Sequence, residues 1–587
     1  MQKPMKKLTL ISILIKRKSH FLPSIIHSKS MKINNLYLIS ILFIVQTNLN
    51  AQTVGENTLI ITSGFTPQIK DAHKIFEQPF FNDSVYTVTK FDYSIINTKI
   101  TTPYVLKPIT AAKMSGEPLD KIYNAYIAAG IGNLMTPLFE FRYDLDRSRD
   151  KRAGIQLKHL SSTGKMDEYI YPGFSDNLVK GYFTKMWDVN KLDFDASYSR
   201  TLRHFYGVRT ADTALTNSQD ISDTANEQIF HLAKGGLRFS KFNLSNDKMF
   251  YDLGLRYYFL IDKFGSRENG VKYDGIVDWG VDLVNALKEQ RIGLKTEFNF
   301  YNNSDSLRIN KSYIIGLEPF YKFKFNKLDA EIGFKADVAK DSISEIGIFP
   351  MLNFRIEAIE NIMSFNAKIY GGSYKNNMKD VVEQNPFASS INPMEMSKNK
   401  LSTAIGMQTT FSRFINLNLA FNYEKWEKTA LFINDTTIAL RNRFTFVYDD
   451  MDMISLKAGL AFHSGKKLNI LTEFNIYSYN PAKELYAWHK PDYDLKLLAD
   501  YNLADKILIH ADITYNGPSK APIYSNGIVN AQTINPWLDA SLGAEYRYHK
   551  GLGIFLNINN IAASKYSYWY NYPSYGFNII GGLSYIF

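Results

Sequence analysis

The chain has 587 residues, enough for about two to four soluble domains, so length alone excludes little. It contains no cysteine, which excludes disulfides, thiolate metal sites, cysteine nucleophiles and a lipid-modified N-terminal cysteine. Residues 1–51 hold eight Lys and Arg and no acid, so without them the formal charge of +11 falls to +3 (11 less 8). The main compositional argument for nucleic-acid binding is thereby lost, and we expect no nucleic-acid partner.

Aromatic residues are abundant in a chain of negative mean hydropathy, with 38 Tyr, 40 Phe and only 21% charged residues. A bundle of membrane helices would be much more hydrophobic on average. A membrane β-barrel has this balance because lipid-facing and lumen-facing residues alternate along every strand. An aromatic-rich soluble β protein would have similar totals, so the order of the residues must decide.

The N-terminal region resembles an export signal. Met31 and Lys32 precede an apolar run over residues 36–45, and Ala51 ends the polar stretch that follows. This order predicts a signal peptide over 31–51, cleaved after Ala51, because the apolar run is shorter than the ~20 residues of a spanning helix. An N-terminal membrane anchor is the alternative. Residues 1–30 then form an upstream extension. Either an assumed start codon upstream of the real one adds them, or they are a true part of the protein.

Residues 52–120 form an N-terminal segment that we expect to be periplasmic or luminal. Its end, 103–121, carries Pro103, Pro108, Gly116 and Pro118, too many breakers for a long strand or helix. We interpret that stretch as an extended lead-in and the whole segment as a candidate partial plug.

Period-two alternation runs through residues 121–587 and predicts an all-β fold, a transmembrane antiparallel β-barrel. From Leu538 to Tyr548, for example, apolar residues alternate with the polar row that begins at Asp539. Short polar turns, such as Glu289–Arg291 and Asn326-Lys327, alternate with longer links, such as 376–400 and 562–574. Short turns on the periplasmic side and long loops outside are the outer-membrane arrangement, and this parity gives about 22 strands.

The last strand has one apolar face that ends in the C-terminal residue. This alternating strand resembles the signal by which barrel-assembly machinery recognises its substrates, and it predicts that machinery as a partner. The residues of the predicted assembly signal are Phe577, Ile579, Leu583, Tyr585 and Phe587.

Several stretches resemble the barrels of TonB-dependent receptors from Bacteroidetes-type bacteria. They are Val447-Tyr448-Asp449-Asp450, Trp488-His489-Lys490-Pro491, the stretch 556–561 and Tyr572-Pro573 running into Gly576. Two earlier stretches, Lys158-His159-Leu160-Ser161-Ser162 and 173–177, resemble the early hairpins of a receptor-like barrel group from the same bacteria. The resemblance covers about 120–587 and implies a 22-stranded receptor-like barrel. Such receptors carry an N-terminal plug and a TonB box, and neither is recognisable in the 69 residues of 52–120.

A lumen of that width needs filling. Residues 52–120, long loops such as 376–400 folding inward, or another protein are the three alternatives.

No catalytic or cofactor pattern stands out, and we expect no enzyme activity, cofactor or metal. The histidines are scattered without metal-ligand spacing, and Asp449-Asp450-Met451-Asp452 lacks the glycine and distal glutamate of a calcium loop. Lumen carboxylates such as Asp193, Glu297 and Asp512 are interleaved with lysines, which favours a charge-compensated lining.

Aromatic residues crowd the last outer loop and could stack on sugar rings or form an interfacial belt. The candidate surface-loop aromatics are Tyr568, Trp569, Tyr570 and Tyr572.

These features predict an outer-membrane receptor or transporter that captures or passes a solute, exported by its signal peptide. The alternative is a non-transporting accessory or structural subunit of a larger envelope complex for secretion, assembly or uptake. Outer-membrane lipid is an expected partner, and a surface lipoprotein or other envelope proteins are further candidates.

Overall fold

A computed structural model describes residues 123–145, 148–211, 226–242, 249–525, 528–549 and 551–587. Most of these residues lie in β-strands, and one α-helix, α1 (Met378–Gln384), occurs among them. The predicted segments 1–30, 31–51 and 52–120 lie outside the described residues. Within the part of the chain that the structure describes, no helix is long and apolar enough to cross a bilayer.

Twenty-two of the strands form a single antiparallel sheet. They are β1 (Ala125–Gly132), β2 (Leu138–Asp144), β3 (Lys151–Ser162), β4 (Phe174–Trp187), β5 (Asn190–His204), β6 (Glu227–Lys241), β7 (Met249–Asp262), β8 (Arg267–Gly280), β9 (Lys288–Ser304), β10 (Ile309–Phe325), β11 (Leu328–Lys340), β12 (Ser344–Ile359), β13 (Met363–Lys375), β14 (Met396–Ser412), β15 (Ile415–Asn434), β16 (Phe444–Ser464), β17 (Leu468–Pro481), β18 (Tyr493–Leu503), β19 (Ile507–Asn516), β22 (Trp537–Arg547), β23 (Leu552–Asn559) and β26 (Asn578–Ile586). Two hairpins lie outside this sheet, β20 (Ser519–Ser525) with β21 (Ile528–Ile534), and β24 (Ser567–Trp569) with β25 (Tyr572–Pro573).

The sheet closes on itself because its first and last strands pair. β1 and β26 run antiparallel from Tyr126 opposite Ile586 to Gly132 opposite Ile580. Closure leaves no open edge, so the backbone amides and carbonyls can be satisfied inside a bilayer. The predicted 22-stranded barrel is confirmed.

Side-chain alternation separates an apolar outer surface from a polar lumen. On β10, Ile315 and Leu317 face outward and are 43% and 49% exposed. Glu318 faces inward, where it accepts a hydrogen bond of 2.8 Å from the Lys295 ammonium of β9. Exposed apolar side chains around a barrel are a lipid-facing band rather than an unpaired surface. The sequence pattern predicted this division because the period of a strand is two.

Connections at the two ends of the barrel differ as predicted. One end carries short turns such as 326–327, 413–414 and 504–506, and the other carries the links 376–395, 482–492, 517–536 and 560–577. The link 376–395 also contains α1, which the sequence pattern did not indicate.

One predicted turn is wrong. Residues 289–291 belong to β9, and the turn between β8 and β9 is 281–287. Buried Gln290 stabilises this turn, since its side-chain oxygen accepts from the amides of Leu283 and Val284 at 3.1 and 3.0 Å. The charged run at 288–291 looks like a turn, whereas the apolar residues of 281–287 look like a strand. Side-chain hydrogen bonding to the turn backbone reverses that local preference.

Candidate functional site

The long-loop end of the barrel holds a buried aromatic core. Two links contribute to it, one over 376–395 between β13 and β14 and one over 560–577 between β23 and β26. We call these two links the cap. From the barrel wall, the core includes lumen-facing residues of β6, β7, β9, β15 and β16. The buried members are Phe230, Leu232, Tyr258, Leu260, Tyr301, Met378, Val381, Ala388, Met394, Phe432, Phe444, Phe446, Trp569 and Tyr572.

The cap lies across the lumen. Strands β6 and β15 are separated by the eight strands β7–β14, yet side chains from both belong to one buried core. In a closed barrel, distant parts of the wall can share a core only through groups that cross the interior. Of the three fillings that the sequence left open, inward-folding loops are therefore present in this structure.

Ring stacking joins the two links of the cap. Phe387 stacks on Tyr572 with ring centroids 4.0 Å apart and an interplanar angle of 27°. Tyr206, which follows β5, meets Tyr572 edge-on at 4.9 Å. Trp569 packs against Phe432 at 4.9 Å, in an edge-to-face arrangement that aromatic pairs favour. These contacts connect the two links of the cap with the segment after β5 and with β15.

Buried hydrogen bonds hold the second link of the cap. The Tyr572 hydroxyl donates to the backbone carbonyl of Asn442, in the link between β15 and β16. The Asn442 side chain in turn donates to the carbonyl of Phe205 at 2.7 Å. Burial raises the pKa of Tyr572 well above its ordinary value, so this hydroxyl remains a donor at physiological pH.

A buried carboxylate of the barrel wall holds the first link. Glu268 of β8 is 1% exposed, and its oxygens accept from the amides of Met378 and Lys379 at 2.8 and 3.1 Å. These are the first amides of α1, which have no partner within the helix. The Tyr258 hydroxyl donates to the same carboxylate at 2.9 Å. An ion pair of 2.6 Å between Lys234 and Glu383 adds a partly exposed contact.

The lumen wall beneath the cap carries alternating charges. Lys295 lies 2.8 and 2.6 Å from Glu318 and Glu331, and Lys335 lies 2.6 Å from Glu297. A cavity of about 380 Å³ is lined by Lys295, Glu297, Glu318 and Lys335 and reaches Asp380 of α1. This arrangement agrees with the charge-compensated lining that the sequence suggested. No group of three metal-ligating side chains occurs in the described ranges.

The four candidate loop aromatics lie in two environments. Trp569 and Tyr572 are buried in the core of the cap, at 7% and 3% exposure. Tyr568 is 44% exposed, and Tyr570 lines an outward cleft together with Trp537. The sequence could not separate these environments, because neighbouring side chains of this loop point to opposite sides and a loop has no regular period that predicts their direction.

The residues of the predicted assembly signal form one outward row on and beside β26. Phe577, Leu583, Tyr585 and Phe587 are between 42% and 56% exposed, and Ile579 lies in the same row. The backbone carbonyl of Phe587 accepts from the amide of Ala125 at 2.9 Å, so the C-terminal residue also closes the barrel. Their role as an assembly signal stays a prediction.

Comparison with known proteins supports the fold. No protein-family model and no curated protein matches the sequence. Among solved structures, the chain resembles FpvA of P. aeruginosa bound to pyoverdines (TM-score 0.59, 12% identity, 79% of this chain and 72% of that one). It also resembles the siderophore receptor PirA of Acinetobacter baumannii (0.59, 11%, 79% and 80%) and the ferric-catecholate import receptor Fiu of E. coli (0.56, 10%, 79% and 82%).

The chain thus has the barrel fold that the resemblance implied, and at this level of identity the likeness shows the fold alone. Bacteroidetes origin stays a prediction, and so does the lack of a recognisable plug, since residues 52–120 lie outside those described.

Proposed function

We propose that this chain is an outer-membrane receptor barrel that captures a solute at the cell surface and admits it when the cap moves. The observation that carries the proposal is the shared core of β6, β15 and the two links of the cap across the lumen. The fold of the siderophore and import receptors that the chain resembles supports an uptake role. A lipid-facing apolar band and the long-loop end, which we assign to the outside, support the outer-membrane location.

The mechanism requires no covalent chemistry. A solute that binds the long-loop end replaces contacts that hold the cap, such as the Phe387–Tyr572 stack, and so favours an open arrangement. The charged wall beneath the cap, with Lys295 and Glu297, then offers polar contacts along the lumen. Residues 52–120 would act as a second barrier on the periplasmic side, as the partial plug that we infer from the sequence.

Single-channel recording in planar bilayers tests this function. We expect the full chain to be mostly closed, and a variant with residues 377–394 replaced by a short Gly-Ser turn to conduct steadily. Replacement of 305–308, the link between β9 and β10 and outside the cap, by a Gly-Ser turn is the control and should stay mostly closed. A loop-deleted barrel that folds, remains silent and co-purifies with stoichiometric envelope proteins would instead support the accessory-subunit alternative.

A further inference from the structure

One flank of the barrel is low at its long-loop end. The links that follow β7, β9 and β11 (263–266, 305–308 and 341–343) have only three or four residues each. Ile309 and Ile343 at this low rim are 74% and 76% exposed, well above the 43% and 49% of Ile315 and Leu317 in the lipid-facing band. Aliphatic side chains that protrude this far favour lipid over water as their surroundings. We therefore place the low rim in contact with the outer leaflet, since the long-loop end is assigned to the outside of the cell.

The outward row of β10 gives the depth of this rim. Tyr321 and Tyr313 flank an apolar stretch of that row that includes Ile315 and Leu317. Aromatic side chains collect at both interfaces of an outer-membrane barrel. The strand between the two tyrosines is about 26 Å long, or about 20 Å along the bilayer normal at a tilt of about 40°, close to the height of the apolar band. Lys311, two residues beyond Tyr313, therefore lies at the level of the lipid headgroups.

Two lysines project outward beside each other at this level. Lys340 of β11 lies opposite Tyr313, so Lys311 and Lys340 are diagonal neighbours on one face of the sheet. Residues in this relation have Cα atoms about 7–8 Å apart. Both lysines are exposed, and the Lys340 ammonium lies 6.0 Å from the centre of the Tyr313 ring. A single phosphate group fits between two ammonium groups at this spacing.

In the described part of the chain, no carboxylate pairs with either lysine, because the acids of this rim have other partners. Asp341 lies 3.1 Å from Lys375, and Glu345 lies 2.6 Å from Lys398. Asp305 accepts from two backbone amides of its own turn at 2.7 and 2.8 Å. Cations beside protruding aliphatic side chains are costly unless an anion at the same depth neutralises them.

Neutral hydrogen-bond donors extend this site to the neighbouring strands. Ser344 of β12 lies opposite Lys340, and Asn302 of β9 lies opposite Lys311, so both share the outward face. A hydroxyl and an amide group can both donate to phosphate oxygens. Four adjacent strands thus contribute one polar side chain each at the depth of the headgroups.

Protruding aliphatic side chains continue from this site towards the middle of the bilayer. Ile346 and Ile348 follow Ser344 along the outward row of β12 and are 76% and 74% exposed. They lie beside the apolar outward row of β11, opposite Val338 and Ala336. Acyl chains would pack on this surface while the lysines hold the headgroup.

We propose that this patch binds a phosphorylated glycolipid of the lipid A type from the outer leaflet. We call it the lipid patch and define it by Lys311, Lys340, Ser344, Ile346 and Ile348. The lysines and Ser344 bind a phosphate of the headgroup, and the two isoleucines contact the acyl chains. This inference goes beyond the proposed function, because the patch lies on the lipid side of the wall and takes no part in solute passage.

Native mass spectrometry of the full-length purified protein tests the proposal. The probes are bisphosphoryl lipid A, the same lipid with both phosphates removed, and inorganic phosphate as a competitor. We expect a saturable adduct of one bisphosphoryl lipid A that millimolar inorganic phosphate does not displace, because a free ion lacks the acyl contacts. The dephosphorylated lipid should bind at least tenfold more weakly, since it lacks the charge that the lysines recognise.

Variants assign the adduct to the lipid patch. K311Q/K340Q should weaken bisphosphoryl lipid A roughly thirtyfold, about fivefold for each lysine removed, with little change for the dephosphorylated lipid. I346A/I348A should weaken both lipids, because it removes acyl contacts. Lys425→Gln is the matched control, since Lys425 is an outward lysine of β15 that already has a carboxylate, that of Asp452, at 3.9 Å. Heat-modifiable gel mobility confirms that each variant is folded.

Four results would overturn the proposal. The first is equal binding of the phosphorylated and dephosphorylated lipids. The second is a lipid A affinity that K311Q/K340Q lowers no more than Lys425→Gln does. The third is full displacement of the lipid by millimolar inorganic phosphate, which would reduce the lysines to a site for free anions. The fourth is a protein dimer in place of the lipid adduct that K311Q/K340Q disrupts, which would make a second copy of the chain the occupant.

Discussion

Phe387 and Tyr572 stack at 4.0 Å although they belong to links that leave the barrel between different strand pairs, β13–β14 and β23–β26. The contact is possible only because both links turn inward over the lumen. It joins the link that carries α1 to the link that Asn442 holds. The two links must therefore move together, or this contact must break.

Glu268→Gln should loosen the first link of the cap. The neutral amide would still accept from the amides of Met378 and Lys379, but it would lose charge-assisted strength and would place a donor group beside them. We expect a loss of about 1–3 kcal/mol in the local stability of α1, measured by hydrogen exchange of its amides.

Glu383→Gln is the control for this change. Glu383 pairs with Lys234 at 2.6 Å and with Lys379 at 2.8 Å and is itself 45% exposed, so the loss of both pairs should cost only about 1 kcal/mol and less at high salt. Equal exchange rates in the two variants would contradict the role given to Glu268.

Acid should open the cap at its edge. His489 is 4% exposed, its Nδ1 lies 3.0 Å from the Phe432 carbonyl, and its ring contacts Phe444 and Trp569. Burial lowers the pKa of His489 from 6.5 to about 4. When the cap opens and exposes His489, its ring binds more protons than in the closed state at any pH between 4 and 6.5. Closure is therefore fully stabilised above pH 6.5 and weakens as the pH falls towards 4.

Channel recording across this pH range measures the effect. We expect more frequent openings on acidification, and His489→Phe should remove most of the pH dependence because the substituted ring cannot be protonated. An unchanged pH profile in that variant would show that another group is responsible.

The C-terminal aromatic residue should be needed for assembly. Phe587→Ala should lower the fraction of heat-modifiable, folded barrel in outer membranes, because the outward row of β26 loses its last member. Ile586→Ser, which changes the inward row of the same strand, is the matched control. If both variants assemble as well as the parent chain, the predicted signal is absent from this strand.

Much of the barrel could be predicted from the sequence because its determinants are local. Alternation such as that of Leu538–Tyr548 reports the two faces of a strand directly, and short polar turns report its ends. The charged run at 288–291 led to a wrong turn prediction, because Gln290 stabilises the preceding turn through its side chain. No local sequence pattern reveals that contact.

The cap could not be predicted in this way. Its contacts join residues far apart in the chain, such as Glu268 with Met378 and Phe387 with Tyr572, and period-two patterns carry no information on such pairs. In the last loop, the abundance of aromatic residues marks them as candidates. Their division between the buried core and the outer cleft depends on where β24 and β25 turn the backbone.

Residues 52–120 should form a second barrier in series with the cap. We expect deletion of this segment to increase sensitivity to bulky antibiotics most strongly when Tyr572→Ala has already weakened the cap. The measurement is antibiotic sensitivity of cells that express the single and combined variants at equal levels of folded barrel. A deletion that adds nothing to Tyr572→Ala would remove the segment from the permeability barrier.

The most direct test of the central claim is to fix the Phe387–Tyr572 contact covalently. The chain has no cysteine, so F387C/Y572C offers one unique pair for a short, reducible bis-maleimide cross-linker. In single-channel recordings, the cross-linked protein should never open, and reduction of the linker should restore the openings of the unlinked variant. A cross-linked barrel that conducts as often as the unlinked one would contradict the conclusion that the cap closes the lumen.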